Sequence, residues 1–164
     1  MARKKQPQNY WIKFSYLLVI FIAFVAANLY FSDLIIHEIQ SGTLLINNDI
    51  FSLNYTKNTG AAFSLLHNYP FLLISLSVTI LVLLFAYIIK HAGTMSYIGL
   101  FWLSLMMSGI FCNLFERVQL GYVRDFIELR FVDFPIFNFS DIAINVSVAA
   151  IIILLLTRTQ LKQL

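Results

Sequence analysis

Two aspartates in this sequence have the residue type and the surroundings that acid–base catalysis needs. Asp125 lies in the segment 121–127, which we expect at the membrane surface, and Asp141 follows sixteen residues later, directly before an uncharged apolar run. An acidic side chain at the boundary of a membrane costs free energy, so each such residue is a candidate for a functional site. Because Pro135 disfavours a continuous helix between the two acids, we expect a turn there that lets their side chains approach each other.

A pair of carboxyl groups that share one site can hydrolyse a peptide bond. Two like charges at short range do not form easily, so one carboxyl keeps its proton while the other is ionised. The ionised carboxylate takes a proton from an attacking water, and the neutral carboxyl donates a hydrogen bond to the developing oxyanion. Because such a pair titrates as a unit, we assign neither aspartate a fixed protonation state.

Each acid also has a purely structural interpretation. Asp141 is suited to cap the N-terminus of the helix that follows it, which is a common use of Asp. Asp125 can pair with Arg124 or Arg117 on a hydrated surface. Composition leaves these alternatives open beside the catalytic one.

Other polar residues near the apolar runs carry the same ambiguity. The stretch 58–64 begins with Asn58 and contains Gly60 and two alanines, which permit close backbone approach or simply a small-residue turn. Asn113, near the end of the third apolar run, needs partners on another helix or in an active site. Arg117 can extend to the membrane boundary or pair with an acid.

The elements that must position these residues are apolar helices. Of 164 residues, 60% are hydrophobic and 12% are charged, whereas soluble domains carry about 25% charged residues. Uncharged runs cover residues 14–31, 69–89, 92–115 and 142–157, and the last is short enough that we expect its helix to begin near residue 138. No small-residue cleavage site closes the first run, so we interpret it as a retained span. The sequence predicts an all-α polytopic membrane protein with four transmembrane helices in a single membrane-embedded domain over residues 1–164.

The charges predict the orientation of these spans. With the N-terminus inside, the inner segments hold seven basic residues and no acid, whereas the outer segments hold all eight acids and four basic residues. Basic residues concentrate on the cytoplasmic side of membrane proteins. We therefore expect both termini in the cytoplasm and the polar segments 32–68 and 116–137, which contain the candidate acids or adjoin them, at the outer face.

Both outer segments carry patterns of local structure. Residues 43–46 and 50–55 are rich in β-formers and flank the turn-forming stretch 47–49, which predicts a β-hairpin. The second segment has apolar residues at the spacing of a short interfacial helix, with an extended conformation as the alternative. These residues are Val123, Phe126, Ile127, Phe131 and Phe134.

Composition argues against several other classes of protein. The only cysteine, Cys112, lies in an apolar run and is interpreted as a packing residue. The three histidines are scattered, with no pair at helical ligand spacing, so we predict no metal site. The net charge of +3 forms no basic stripe beyond a short terminal run, so we expect no nucleic-acid partner. A transporter or channel would need polar or broken helices at mid-depth, and the second run offers only Ser75, Ser77 and Thr79.

Four stretches taken in order resemble the lipoprotein signal peptidase family, also called type II signal peptidase. These are residues 58–64, 113–117, 121–127 and 134–141, and the resemblance extends over nearly the whole chain. Such enzymes remove signal peptides from diacylglyceryl-modified bacterial prolipoproteins by cutting before the lipidated Cys. The resemblance implies a catalytic pair and four supporting polar residues, with no cofactor or metal. The pair would be Asp125 and Asp141, and the supporting residues Asn58, Asn113, Arg117 and Asn138.

The same resemblance predicts where the protein acts and with what. It implies a multi-pass protein of the bacterial cytoplasmic membrane, with its active site and a small β cradle at the outer face. Lipid-modified prolipoproteins and membrane lipid would be its partners, and we expect a monomer.

Three positions depart from the pattern of the family. The first span lacks the usual Asp and Lys in residues 26–32, Cys112 replaces a glycine before Asn113, and Glu116 replaces an aspartate before Arg117. The catalytic pair is unaffected by these changes. A non-catalytic relative that binds lipoprotein signal peptides is the alternative that the missing charges favour.

Overall fold

Helices account for most of the chain in a computed structural model, which describes residues 8–60 and 69–161. In chain order the elements are α1 (Gln8–Gln40), β1 (Phe51–Asn58), α2 (Pro70–His91), α3 (Tyr97–Leu120), β2 (Val123–Leu129) and α4 (Phe139–Leu161).

Four helices within these described ranges are long and apolar enough to cross a membrane. This confirms the predicted four-helix architecture, although the helix bounds differ from those of the uncharged runs, most clearly in α1 and α3. Helix α1 continues to Gln40, because Asp33 interrupts the apolar composition without breaking the helix, and Gly42 follows the helix with a φ of 75°. Helix α3 begins only at Tyr97, because Ser96 caps it by accepting a hydrogen bond from the Gly99 amide.

Helix α3 lies at the centre of the bundle, where it contacts each of the other three helices. Its residues Leu100, Leu103 and Met107 form the buried core with Leu17 of α1 and Ile88 of α2. The outward faces of the helices expose large apolar side chains, which suits them to contact with lipid.

Helices α3 and α4 are in tight contact at Gly109. A Cβ atom built at Gly109 would lie 2.6 Å from the Ser140 carbonyl oxygen and 2.9 Å from Cγ1 of Ile144. Only a residue without a side chain allows this approach. The contact sets the first turn of α4, which carries Asp141, directly against α3.

The two long polar segments of the chain pair with each other through strands β1 and β2. These strands are antiparallel, with Phe51 opposite Leu129, Thr56 opposite Asp125, and a register shift between Leu53 and Thr56. The predicted interfacial helix over this part of the chain is therefore wrong, and the extended alternative holds. Gly121 ends α3 with a φ of 83°, and the residues after it satisfy their backbone hydrogen bonds with a strand that is distant in sequence.

The predicted β-hairpin forms only in part. The expected turn is present, because Oδ1 of Asn48 accepts hydrogen bonds from the backbone amides of Ile50 and Phe51. Beyond the turn, one isolated bridge joins Asn47 to Ser52. The second arm of the expected hairpin pairs instead with β2, so the small sheet is built from both polar segments.

Candidate active site

Asp125 is held on β2 by two asparagines from different elements. Its side chain is buried, with the residue 1% exposed. Nδ2 of Asn58, at the end of β1, donates to Oδ2 of Asp125 at 2.8 Å, and Nδ2 of Asn138 donates to Oδ1 at 2.8 Å. Each carboxyl oxygen therefore has one side-chain donor, and the orientation of the group is defined by two separate parts of the chain.

Asp141 lies in the first turn of α4, where it forms a reciprocal cap with Asn138. The backbone amide of Asn138 donates to Oδ2 of Asp141 at 3.1 Å, and the Asp141 amide donates to Oδ1 of Asn138 at 3.0 Å. This is the capping-box arrangement, so the structural interpretation of Asp141 describes real contacts. The other oxygen, Oδ1, accepts a hydrogen bond from Nδ2 of Asn113 at 2.8 Å. Capping and alignment toward the site thus use different oxygens of one carboxyl group.

Asn138 is the residue that joins the two acids. It is 4% exposed, and its side chain and backbone together contact Asp125, Asp141 and Asn113. The chain reaches this position because Phe137 pairs with β2: its carbonyl oxygen accepts hydrogen bonds from Phe126 and Ile127, and its amide donates to Ile127. Residues 130–138 contain no helix, as Pro135 predicted.

The surroundings of Asp125 favour its protonated form. Burial raises the pKa of Asp125 from 3.8 to about 7, and repulsion from the neighbouring carboxylate of Asp141 adds to the shift. Hydrogen bonds from Asn58 and Asn138 and the positive charge of Arg117 act in the opposite direction. Two carboxyl groups that repel each other in this way keep one proton between them up to about neutral pH.

Arg117 brings a positive charge to the same cluster from α3. Its Nη2 donates to the Gly60 carbonyl oxygen at 2.8 Å, and its Nη1 donates to the Asn113 carbonyl oxygen at 3.3 Å. These contacts tie Gly60, just after β1, to the C-terminal end of α3. The carboxyl groups of Asp125 and Asp141 both lie within the electrostatic influence of this guanidinium.

A cavity of about 390 Å³ opens onto this cluster. One part of its wall is polar and includes Asn58, Asn113, Arg117, Asp141 and Asn145. The rest of its wall is mainly apolar and includes Phe134, Pro135, Ile136, Phe137, Ile142 and Val146. A site of this kind suits a peptide with apolar neighbours whose reactive bond meets the polar end.

The structure brings all six residues singled out from the sequence into one connected cluster. Residues 61–64 of the 58–64 stretch lie outside the described residues, as does His67. The surface pairing of Asp125 with Arg124 is wrong, because the Arg124 side chain bonds Glu116 and Asp33 instead. Sequence reasoning also missed Asn28, which is buried and donates to Oγ of Ser140 at 3.0 Å, beside Asp141. Its position in an uncharged apolar run was the available signal.

The chain is similar to known proteins over most of its length. Residues 9–157 match the profile of a family described as signal peptidase (SPase) II. The chain is 33% identical over 146 residues to a lipoprotein signal peptidase of Lactococcus lactis subsp. cremoris, an alignment that covers 88% of this chain and 96% of that protein. It is 39% identical over 106 residues to a lipoprotein signal peptidase of Streptococcus thermophilus, with 65% and 69% covered.

The fold is also similar to that of a solved bacterial membrane enzyme. The two structures superpose with a TM-score of 0.74 and 26% sequence identity, over 87% of this chain and 88% of the other. A second structure of a bacterial membrane enzyme gives a TM-score of 0.70 at 26% identity, with 85% and 92% covered.

Proposed function

Because this chain belongs to the signal peptidase II family, we propose that it is a membrane aspartic endopeptidase with Asp125 and Asp141 as its catalytic pair. Membership of the family assigns the chain the removal of signal peptides from prolipoproteins, as a multi-pass protein of a bacterial membrane. The aspartic chemistry, the site residues and the details of the substrate belong to our proposal.

One observation carries the proposal: both carboxyl groups bond the same buried asparagine, Asn138, beside a cavity large enough for a peptide. Two acids fixed in this way share a proton in the neutral range, as the raised pKa of Asp125 indicates. A cap on a helix needs only one of these acids. Capping gives no reason to bury the second acid, Asp125, and to hold it with a hydrogen bond from Asn58, whereas the proposed reaction does.

The reaction follows from this shared proton. The ionised carboxylate removes a proton from water, whose oxygen adds to the carbonyl carbon of the scissile bond. The neutral carboxyl donates a hydrogen bond to the oxygen that becomes negative, and the charge of Arg117 favours the same state. The proton taken from water then passes to the leaving nitrogen as the carbon–nitrogen bond breaks, which restores the pair.

The substrate in this proposal is a prolipoprotein cut just before its diacylglyceryl-modified cysteine. The apolar wall formed by Pro135, Phe137, Ile142 and Val146 supports apolar residues around the cut, and the exposed apolar helix faces leave acyl chains in lipid. The charge pattern favours cytoplasmic termini and a site at the outer face, where water is available. Asn58, Asn113, Arg117 and Asn138 align the acids, and the enzyme acts as a monomer.

Cleavage of a lipidated prolipoprotein by the purified protein tests the catalytic pair. We expect Asp125→Asn and Asp141→Asn each to lower kcat by roughly 10³-fold, the range for loss of a general acid or base. In Asp141→Asn an amide oxygen still caps α4, so the variant separates catalysis from capping. Asp133→Asn is the matched control, because Asp133 is exposed in the loop after β2.

The outcomes distinguish the two roles of each acid. Wild-type cleavage by Asp125→Asn or Asp141→Asn would reject that residue as catalytic. Binding of the substrate without cleavage by the wild-type protein would reject the enzyme and favour the non-catalytic relative.

A further inference from the structure

A buried ion pair holds β2 at the residue next to Asp125. Oε1 of Glu116 accepts hydrogen bonds from Nε and Nη2 of Arg124 at 2.9 and 2.7 Å. The second oxygen, Oε2, accepts from the backbone amide of Arg124 at 2.8 Å. One carboxylate on α3 therefore binds both the side chain and the main chain of a single residue of β2.

The same arginine reaches a third element. Its Nη1 donates to Oδ1 of Asp33 on α1 at 2.6 Å. The side chains of Glu116 and Arg124 are 7% and 16% exposed, whereas that of Asp33 is 67% exposed. The bond to Glu116 is thus sheltered from water, and the bond to Asp33 is screened and weak.

Strand β2 needs such an anchor because its own sheet is small. The sheet has two strands within the described residues, and an isolated pair of strands is marginally stable in water. The register shift between Leu53 and Thr56 also ends at Thr56, the residue opposite Asp125, so the ladder is irregular next to the acid. A slip of one residue would turn Asp125 to the opposite face of the strand.

We propose that Arg124 and Glu116 are positioning residues, which clamp β2 to α3 and so hold Asp125 in its reactive orientation. This inference rests on the proposed function for its catalytic consequence, since the clamp acts through Asp125 and touches neither the cavity nor the substrate. Consecutive side chains of a strand point to opposite faces, so binding Arg124 on one side presents Asp125 on the other.

Positioning differs from a contribution to stability, and the two are separable here. Removing one member of a buried ion pair leaves an unpaired charge and destabilises the protein, whereas replacing both with apolar residues of similar size is often neutral. The variant Arg124→Met isolates the first effect. The double variant Glu116→Met with Arg124→Met removes the clamp without leaving a buried charge.

Two measurements on the full-length protein in detergent test the clamp. The first is kcat and KM for cleavage of the lipidated prolipoprotein, and the second is hydrogen exchange of the backbone amides in Val123–Leu129. Arg130→Gln is the matched control, because Arg130 is exposed just after the end of the same strand.

We expect the double variant to recover part of the thermal midpoint lost in Arg124→Met, while its kcat stays about 10–100-fold below wild type with KM nearly unchanged. Exchange in Val123–Leu129 should be at least 10-fold faster than in the wild type and in Arg130→Gln. Unchanged exchange in the double variant would overturn the clamp, even if the wild-type protein proved inactive. Faster exchange with wild-type kcat would overturn its positioning role, and an inactive wild type would count against the proposed function alone.

Discussion

Truncation of Asn138 tests the geometry of the site more directly than truncation of either acid. The Asn138 side chain donates to Asp125 and accepts from the Asp141 amide, so Asn138→Ala removes one contact to each acid. The backbone amide of residue 138 remains available to Asp141. The variant therefore leaves both carboxyl groups in place and loosens the connection between them.

The expected loss of stability follows from the contacts removed. Loss of an Asn cap to Ala costs about 1 kcal/mol, and loss of a buried hydrogen bond to a carboxyl group costs about 2 kcal/mol. The sum of about 3 kcal/mol corresponds to a fall in Tm of about 6–12 °C for a chain of this size. Because a misplacement of about 1 Å can lower a rate by about 10²-fold, we expect kcat to fall by that factor.

The pH dependence separates a local effect on the site from general destabilisation. The hydrogen bond from Asn138 lowers the pKa of Asp125, so its loss raises this pKa further above its value of about 7. The fall in kcat at alkaline pH should therefore move to higher pH in Asn138→Ala. Destabilisation of the fold elsewhere has no reason to move it in that direction.

The assay is prolipoprotein cleavage from pH 5 to about 9, together with thermal unfolding in the same detergent. Asn47→Ala is the control, since Asn47 is an exposed asparagine in the stretch before β1 and its loss should change the free energy of unfolding by about 0.5 kcal/mol or less. A wild-type kcat and an unshifted alkaline limb in Asn138→Ala would refute the claim that this residue aligns the acids.

The helix contact leads to one further prediction, and the shared proton leads to two. Gly109→Ala places a Cβ against the Ser140 carbonyl oxygen, so α4 must shift. We expect the free energy of unfolding, measured by thermal unfolding, to fall by about 1–3 kcal/mol, and kcat to fall as well. A wild-type Tm would contradict this prediction. The raised pKa of Asp125 predicts that wild-type kcat falls as pH rises through about 7, when the pair loses its last proton. The folded state also binds this proton more tightly than the unfolded state, so the free energy of unfolding should fall between pH 4 and about 7, and Asp125→Asn should reduce that slope.

The helices and the main polar residues of the candidate site were accessible from sequence because they depend on local chemistry. An uncharged run of about 20 residues has few alternatives to a membrane helix, since a helix satisfies its backbone hydrogen bonds internally. Asp125, Asp141 and Asn58 stand out in such a chain because polar groups are costly near hydrocarbon. Pro135 similarly excluded a continuous helix on the basis of its own ring.

Other features required partners that local patterns do not identify. The spacing of Val123, Phe126 and Ile127 suits a helix, but β1 supplies backbone partners from about 70 residues earlier in the chain, so the segment forms a strand. Arg124 likewise has Glu116 before it and Asp125 after it in the sequence. Only the packing of β2 against α3 shows that its partner is Glu116 rather than Asp125.

The amino-acid sequence alone thus determined which segments are long and apolar enough to cross a membrane and which polar groups adjoin them, because transfer between water and lipid depends on each side chain and its near neighbours. Only the tertiary structure decided that Asn138 bonds both acids, that Asp141 also caps a helix, and that the cradle joins two distant segments. These contacts depend on which backbone and side-chain groups become neighbours after the helices pack, and hydrogen bonds act only over such short distances.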